Sequence, residues 1–404
     1  MLTRDRTGAS LGGNALRAME LARVLAAHGD VTLASPGEAP AGLRHVPWER
    51  PRDLREILAG ADAVVSAPHS PEIAAELRRC GATLVLDLYD PFPLAALESG
   101  AGRLAQVLAT DSFLEGLRMA HHVICASERQ RDLWLGAMLA AGLLRPENYD
   151  ADPTLRERID VVPIGVSDAP LPSGSPLRGE VVLWYGGLWS WLDPVTPVRA
   201  MPALLERRPD ARLVFLGRTP EAADQRGAGD RARAVARELG LGDRVEFTET
   251  VVPYEERGAW LRDAACAVST HADHLETRFA FRTRILDFVW AGLPVVCTHG
   301  DALSELVERD NLGETVPPGD PDALAAALER VLSAGRDGFA DGFGRAREEL
   351  AWPRVAAPLV RYVTAPTRPP RLGDAAFVPS VPGPAARAIA TRAVRALTGR
   401  RRGR

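Results

Sequence analysis

The chain reads as an α/β protein built from two Rossmann-like parallel-sheet halves. Three observations predict this. Strand and helix signals alternate almost throughout. The alternation occurs as two similar sets, separated by the segment SDAPLPSGSPLRG at 167–179, which holds three prolines and two glycines. The 404 residues suffice for two ordinary domains. The expected organisation is a first domain over 1–166, a linker over 167–179 and a second domain over 180–350. A further helix is expected at 351–365, followed by a Pro-rich and basic tail at 366–404.

In the first half, GGNALRAMELARVLAAHG has apolar residues at helical spacing and a closing Gly29, and VTLASP follows as a strand. DAVVSAP, ATLVLDLYDP, HVICAS and IDVVPIGV are further strands. A Rossmann-like half opens with a strand before its glycine turn, yet only MLTRDRTGAS precedes Leu11-Gly12-Gly13. Either the first strand is very short, or the start lies downstream of the true one; the second is the expectation. In the second half the strands are VVLWY, ARLVFLG, RVEFTET and CAVST, with helices between them. LPVVC, entered from Ala291-Gly292, reads as a strand buried on both faces. GETVPPGDPDALAAALERVL is a turn followed by a helix.

Composition excludes several classes. Charged residues are 25% and apolar residues 46%, as in a globular protein. No apolar run has the length of a membrane helix, and no signal peptide opens the chain. Cys80, Cys125, Cys266 and Cys297 stand far apart in or beside apolar stretches, which predicts free buried thiols in a cytoplasmic setting. The formal charge is −4, and the seven arginines of 384–404 leave −11 on residues 1–383. An acidic body argues against nucleic acid as a partner. The tail carries Ile389, Ala393, Val394 and Leu397 on one helical face and arginines on the other. It reads equally as a helix lying on an anionic membrane surface or as a disordered tail.

The densest chemistry lies in DHLETRFAFRTRILDFVWAGLPVVCT, residues 273–298. Arg282 and Arg284 enter a helix, where forked donors and N-terminal amides both suit a diphosphate. Asp287, one turn on, suits a ribose hydroxyl pair. Together these point to a nucleotide sugar. A solvated arginine face paired with Asp273 or Glu276 is the alternative reading of the cluster. Nothing spaces His, Cys and acids as a metal site.

This segment resembles the donor-binding signature of family 4 glycosyltransferases with the GT-B fold: a Glu, seven residues, a Glu, then Ala-x-x-Gly-x-Pro-Val-Val. Asp287 stands five residues before Gly292, where the second Glu belongs. The first would fall at Phe279, and the nearest acid is Glu276, next to Thr277. The family's Gly-Gly turn after the first strand of the second half is followed by an Arg and a Lys. Here GGLWSWLDP, with Gly186 and Gly187, has neither, so the resemblance implies a variant branch in which FRTR supplies the positive charge. Trp189 and Trp191 either line the base or sugar pocket or cap the domain. Gly12 and Gly13 match a turn facing the donor diphosphate.

The resemblance further implies transfer of a sugar from a nucleoside diphosphate donor with retention, no metal and no separate cofactor. Arg282, Arg284 and Asp90 fill the catalytic roles; Gly12, Gly13, Gly187, Glu276, Thr277 and Asp287 bind the donor. Asp87 and Tyr89, at the C-terminal end of a strand, and His69 face an unidentified acceptor; the family's His–Asp pair is Tyr89-Asp90 here. His121-His122 read as structural, and His271 and His274 border the signature loop. Two alternatives follow: a non-catalytic sugar-nucleotide-binding relative or partner subunit, and a GT-B-fold sugar-nucleotide epimerase. The expected location is cytoplasmic, with the tail able to reach the inner face of a membrane.

Overall fold

The computed structural model describes residues 1–374 except 9–11, 99, 101, 174–176, 218–226, 249–251, 253–255 and 366–368. The basic segment 384–404 therefore lies outside the described residues. Among the described residues, the first half contains β1 (Thr32–Ala34), β2 (Arg44–Val46), β3 (Ala63–Ser66), β4 (Thr83–Asp87), β5 (His122–Cys125) and β6 (Ile159–Val161). β1 pairs with β2, and β3 to β6 pair in sequence, all in parallel.

The opening residues join these two groups. Leu2 bridges both Ala34 and Ser66. Its N–H donates to Val65 O at 2.9 Å, and the Ala34 N–H donates to Met1 O at 2.8 Å. Residues 1–3 thus stand where the sequence lacked a strand, between β1 and β3. There Leu2 bridges both neighbours as a residue of an opening strand would. Three residues are too few for a periodic signal, so the pattern could not show it.

The Gly13–Ala26 helix follows, capped by the extended Gly12. Its buried positions Ala18, Leu21, Ala22 and Leu25 recur at helical spacing and pack toward the sheet. It stops three residues before the expected Gly29.

The second half contains β7 (Val181–Tyr185), β8 (Arg212–Leu216), β9 (Val245–Thr248), β10 (Cys266–Ser269), β11 (Val295–Thr298) and β12 (Gly313–Val316). They form one parallel sheet in the order β12-β11-β10-β7-β8-β9. β10 and β11 are buried along their whole length, as strands covered by helices on both faces must be. All four cysteines are free; Cys266 and Cys297 are buried in β10 and β11 and Cys125 in β5, whereas Cys80, at the end of a surface helix, is only half-buried. No helix among the described residues is long and apolar enough to cross a membrane.

The chain then turns back. Val166 pairs with Ala351, Trp352 packs on Gly165, and Tyr362 stacks on His122 with ring centroids 4.0 Å apart. Apolar packing is continuous from Leu21, Val65 and Ile124 in the first half to the core of the second. The two sheets present their C-terminal edges to one another. There Gln130, fully buried, donates from Nε2 to Tyr89 O at 2.7 Å and to Phe279 O at 2.9 Å. One side chain thus ties the loop after β4 to the loop after β10.

The turn after β7 also depends on its neighbour strand. A Cβ on Gly217, at the end of β8, would stand 2.1 Å from Gly186 O. Gly217→Ala must therefore push the Gly186-Gly187 turn out of place. We expect a loss of about 1–3 kcal/mol in urea unfolding, with the fold retained.

Candidate functional site

Arg284 opens the Arg284–Ala291 helix and reaches across to the turn that ends β7. Its Nη2 donates to Gly187 O at 3.2 Å, and its guanidinium carbon lies 4.9 Å from the centre of the Trp184 ring. Nη1 is buried without a hydrogen-bond partner. Burial, reinforced by the Arg282 charge, pushes the guanidinium down to about 9, so it remains a cation at neutral pH. A buried cation with an unfilled donor favours an anion. Gly187 makes room for a stacked pair: a Cβ there would meet Trp189 Nε1 at 2.7 Å, and Trp189 lies parallel to Trp191 at 5.3 Å.

Arg282 is placed differently. It is buried in an ion pair with Glu276, with Nη2 donating to Oε2 at 2.6 Å and Nη1 to Oε1 at 3.2 Å. Nη2 also reaches Thr277 Oγ1 at 3.3 Å, and Asp301 Oδ2 lies 4.0 Å from Nε. Its charge is thus taken up by carboxylates, unlike that of Arg284. His274 caps the Leu275–Phe279 helix by accepting from the Thr277 N–H at 3.2 Å, which holds Glu276 and Thr277 at the edge of the cleft.

Asp287 accepts from Arg257 Nε at 2.8 Å. Burial raises its carboxyl against the opposing pull of Arg257 and Arg284. It borders a small space with Leu16, Glu20 and Thr283, so it faces the Gly13–Ala26 helix of the other half.

On the other side, His69, Asp87, Tyr89 and Asp90 line one cavity of about 260 Å³, together with Asn14 and Arg17 of the first helix. The structure therefore brings all of the predicted acceptor-side residues together. His69 Nε2 bonds Ser66 Oγ, and burial lowers the ring to about 3, so it is neutral. Gly13 lies under the Tyr89 hydroxyl, where a Cβ would be 2.6 Å away; its smallness there serves Tyr89 directly. Gly12 is the N-cap of that helix. Burial, then Glu276 and Asp5, raises Asp90 to about 6 against the pull of Arg282. Asp90 thus senses the donor-side cluster across the cleft.

Three participants escaped the sequence reading: Arg17, Gln130 and Arg257. Arg17 had a signal, since positions 17, 21 and 25 share the buried stripe of a helix and only one is charged. Gln130 stands at the third position after the N-cap Ser127, which reads as a local cap and hides its reach to Phe279. Arg257 gave none.

Residues 179–334 match the family described as Glycosyl transferases group 1. Solved structures align along nearly their whole length. WaaG, a glycosyltransferase involved in lipopolysaccharide biosynthesis, superposes with TM-score 0.62 over 90% of this chain and 99% of its own, at 14% identity. Anabaena HepE in complex with UDP gives 0.63 over 89% and 98%, at 15% identity. The fold is GT-B. Curated relatives match a shorter stretch of the chain. The D-inositol 3-phosphate glycosyltransferase of Acidothermus cellulolyticus is 29% identical over 201 residues, 46% of this chain and 42% of that one. The phosphatidyl-myo-inositol mannosyltransferase of Mycolicibacterium smegmatis is 29% identical over 201 residues, 48% and 47%. The chain thus spans about half the length of the curated relatives it matches. Arg284, Glu276 and Asp287 lie in the matched part; the cavity with Asp90 lies on the other wall of the GT-B cleft.

The raised Asp90 carboxyl makes a pH prediction. Its folded value of about 6 exceeds the usual 3.8, so the folded state holds its proton more tightly. Stability from this group falls as pH rises from about 4 to about 6 and is level above that. Asp90→Asn should therefore melt higher than the parent at pH 7.5, with the gap closing by pH 4. A gap independent of pH would contradict this environment for Asp90.

Proposed function

We propose that the protein is a glycosyltransferase that moves a sugar from a nucleoside diphosphate donor to an acceptor held in the cavity of the first half. The observation that carries this reading is Arg284, a buried cation with an unfilled donor at the Gly186-Gly187 turn. The GT-B fold and the group 1 match support it.

In this reading the diphosphate lies against Arg284, and its negative charge grows as the sugar leaves. A preorganised buried cation stabilises that growth far more than water can. Arg282 positions Glu276 toward the donor sugar rather than meeting the phosphates. Asp287, steadied by Arg257, accepts from the ribose hydroxyls. The acceptor hydroxyl approaches from the Asp90 side, on the face the diphosphate leaves, so that the departing oxygen takes its proton and the configuration is retained. Gln130 keeps the two loops in register, which supplies positioning. Arg284 fills the charge role that a metal would otherwise serve, so turnover is expected to survive EDTA.

A thermal-shift series with nucleoside diphosphates and their sugars tests the donor site, since any ligand of the folded state raises the melting point. One base should stabilise the protein, and Asp287→Asn should weaken that ligand by about 10- to 100-fold through one or two lost hydrogen bonds. With that donor, NMR of the product should show the anomeric configuration of the donor. Absence of any shift, or an inverted product, would refute the corresponding part of the reading.

A further inference from the structure

The Arg17 guanidinium lies under the acceptor cavity at 1% exposure. Its Nε donates to Asp87 Oδ2 at 2.6 Å, and its face lies 5.4 Å from the Tyr89 ring centre. Both Nη1 and Nη2 are buried with no hydrogen-bond partner. Asp87 is thus spent on one edge of the guanidinium, while the other edge carries two unfilled donors. Unmade hydrogen bonds on a buried charge are costly, and such groups persist where a ligand completes them.

We propose that Arg17 anchors an oxyanion, a phosphate or a carboxylate, carried by the acceptor; the proposal rests on the acceptor role of this cavity. Two parallel N–H donors on one guanidinium edge match two oxygens of such a group, and a lone hydroxyl fills only one of them. The electrostatics around the cavity permit it. Arg17 and Asp87 cancel, and Arg4 and Asp5 offset one another, which leaves Asp90 as the remaining acid of the lining. An incoming anion therefore meets two directed donors, with its far end toward Asp90. The acceptor would present a hydroxyl toward Asp90 and its anionic group toward Arg17.

The test must separate this site from Arg284, which also suits phosphate. Binding of glucose 6-phosphate, gluconate and glucose is therefore measured by calorimetry on full-length Arg284→Met protein. Glucose 6-phosphate or gluconate should bind at least about tenfold more tightly than glucose, and which of the two does so names the oxyanion. Arg17→Lys, added to the same background, keeps a cation beside Asp87 but loses the forked pair; it should fold and lose that preference. Equal binding of all three ligands, or an unchanged preference in Arg17→Lys, would overturn the proposal. Nucleotide binding to Arg284-intact protein reports separately on the donor site, so failure there is distinguishable from failure here.

Discussion

A guanidinium buried with one donor unfilled is the constraint around which the donor side is built. Arg284 has no carboxylate in hydrogen-bonding contact among the described residues; it leans on the Trp184 ring and on one carbonyl oxygen, Gly187 O. Keeping a charge out of water on such terms is unfavourable unless a counter-charge arrives. The surroundings hold it there nonetheless. Gly217 lets β8 press against the Gly186 carbonyl, Gly187 admits the Trp189–Trp191 stack, and Arg282 is drawn off by Glu276.

The opposite wall repeats the arrangement in another key. Arg17 is a second buried guanidinium with unfilled donors, but half of it is neutralised by Asp87. Asp5 and Asp90 line the same cavity as Arg17, and burial, then the charges of Glu276 and Asp5, raises Asp90. A donor diphosphate and an anionic acceptor would each find a cation, with the reacting sugar between them. Gln130 links the loop after β4 to the end of the Leu275–Phe279 helix, and so joins the two walls.

Much of this was legible in the sequence because strands and helices announce themselves by period. The long helices and the apolar strands LPVVC and CAVS lie where the pattern places them. The opening strand was not legible, since three residues carry no period and are recognised only by their partners Ala34 and Ser66. Site chemistry divided similarly. Asp87, Tyr89 and Asp90 were readable as a strand end, and the structure gathers them with His69 in one cavity. The arginine pair of FRTR reads as equivalent in sequence, yet one arginine meets a carboxylate and the other does not. That difference depends on where the chain bends between Phe279 and Arg284, which adjacent residue types do not encode. Arg257 and Asp287 lie thirty residues apart and meet only through tertiary packing.

The most direct measurement is the melting temperature of Arg284→Met, alone and with the nucleoside diphosphate that stabilises the parent protein. If Arg284 is held unpaired for a ligand, removing its charge relieves the empty site. The variant should then melt at or above the parent without ligand and show no shift with it. A variant that melts well below the parent, yet keeps its ligand shift, would make Arg284 a structural residue and contradict the account.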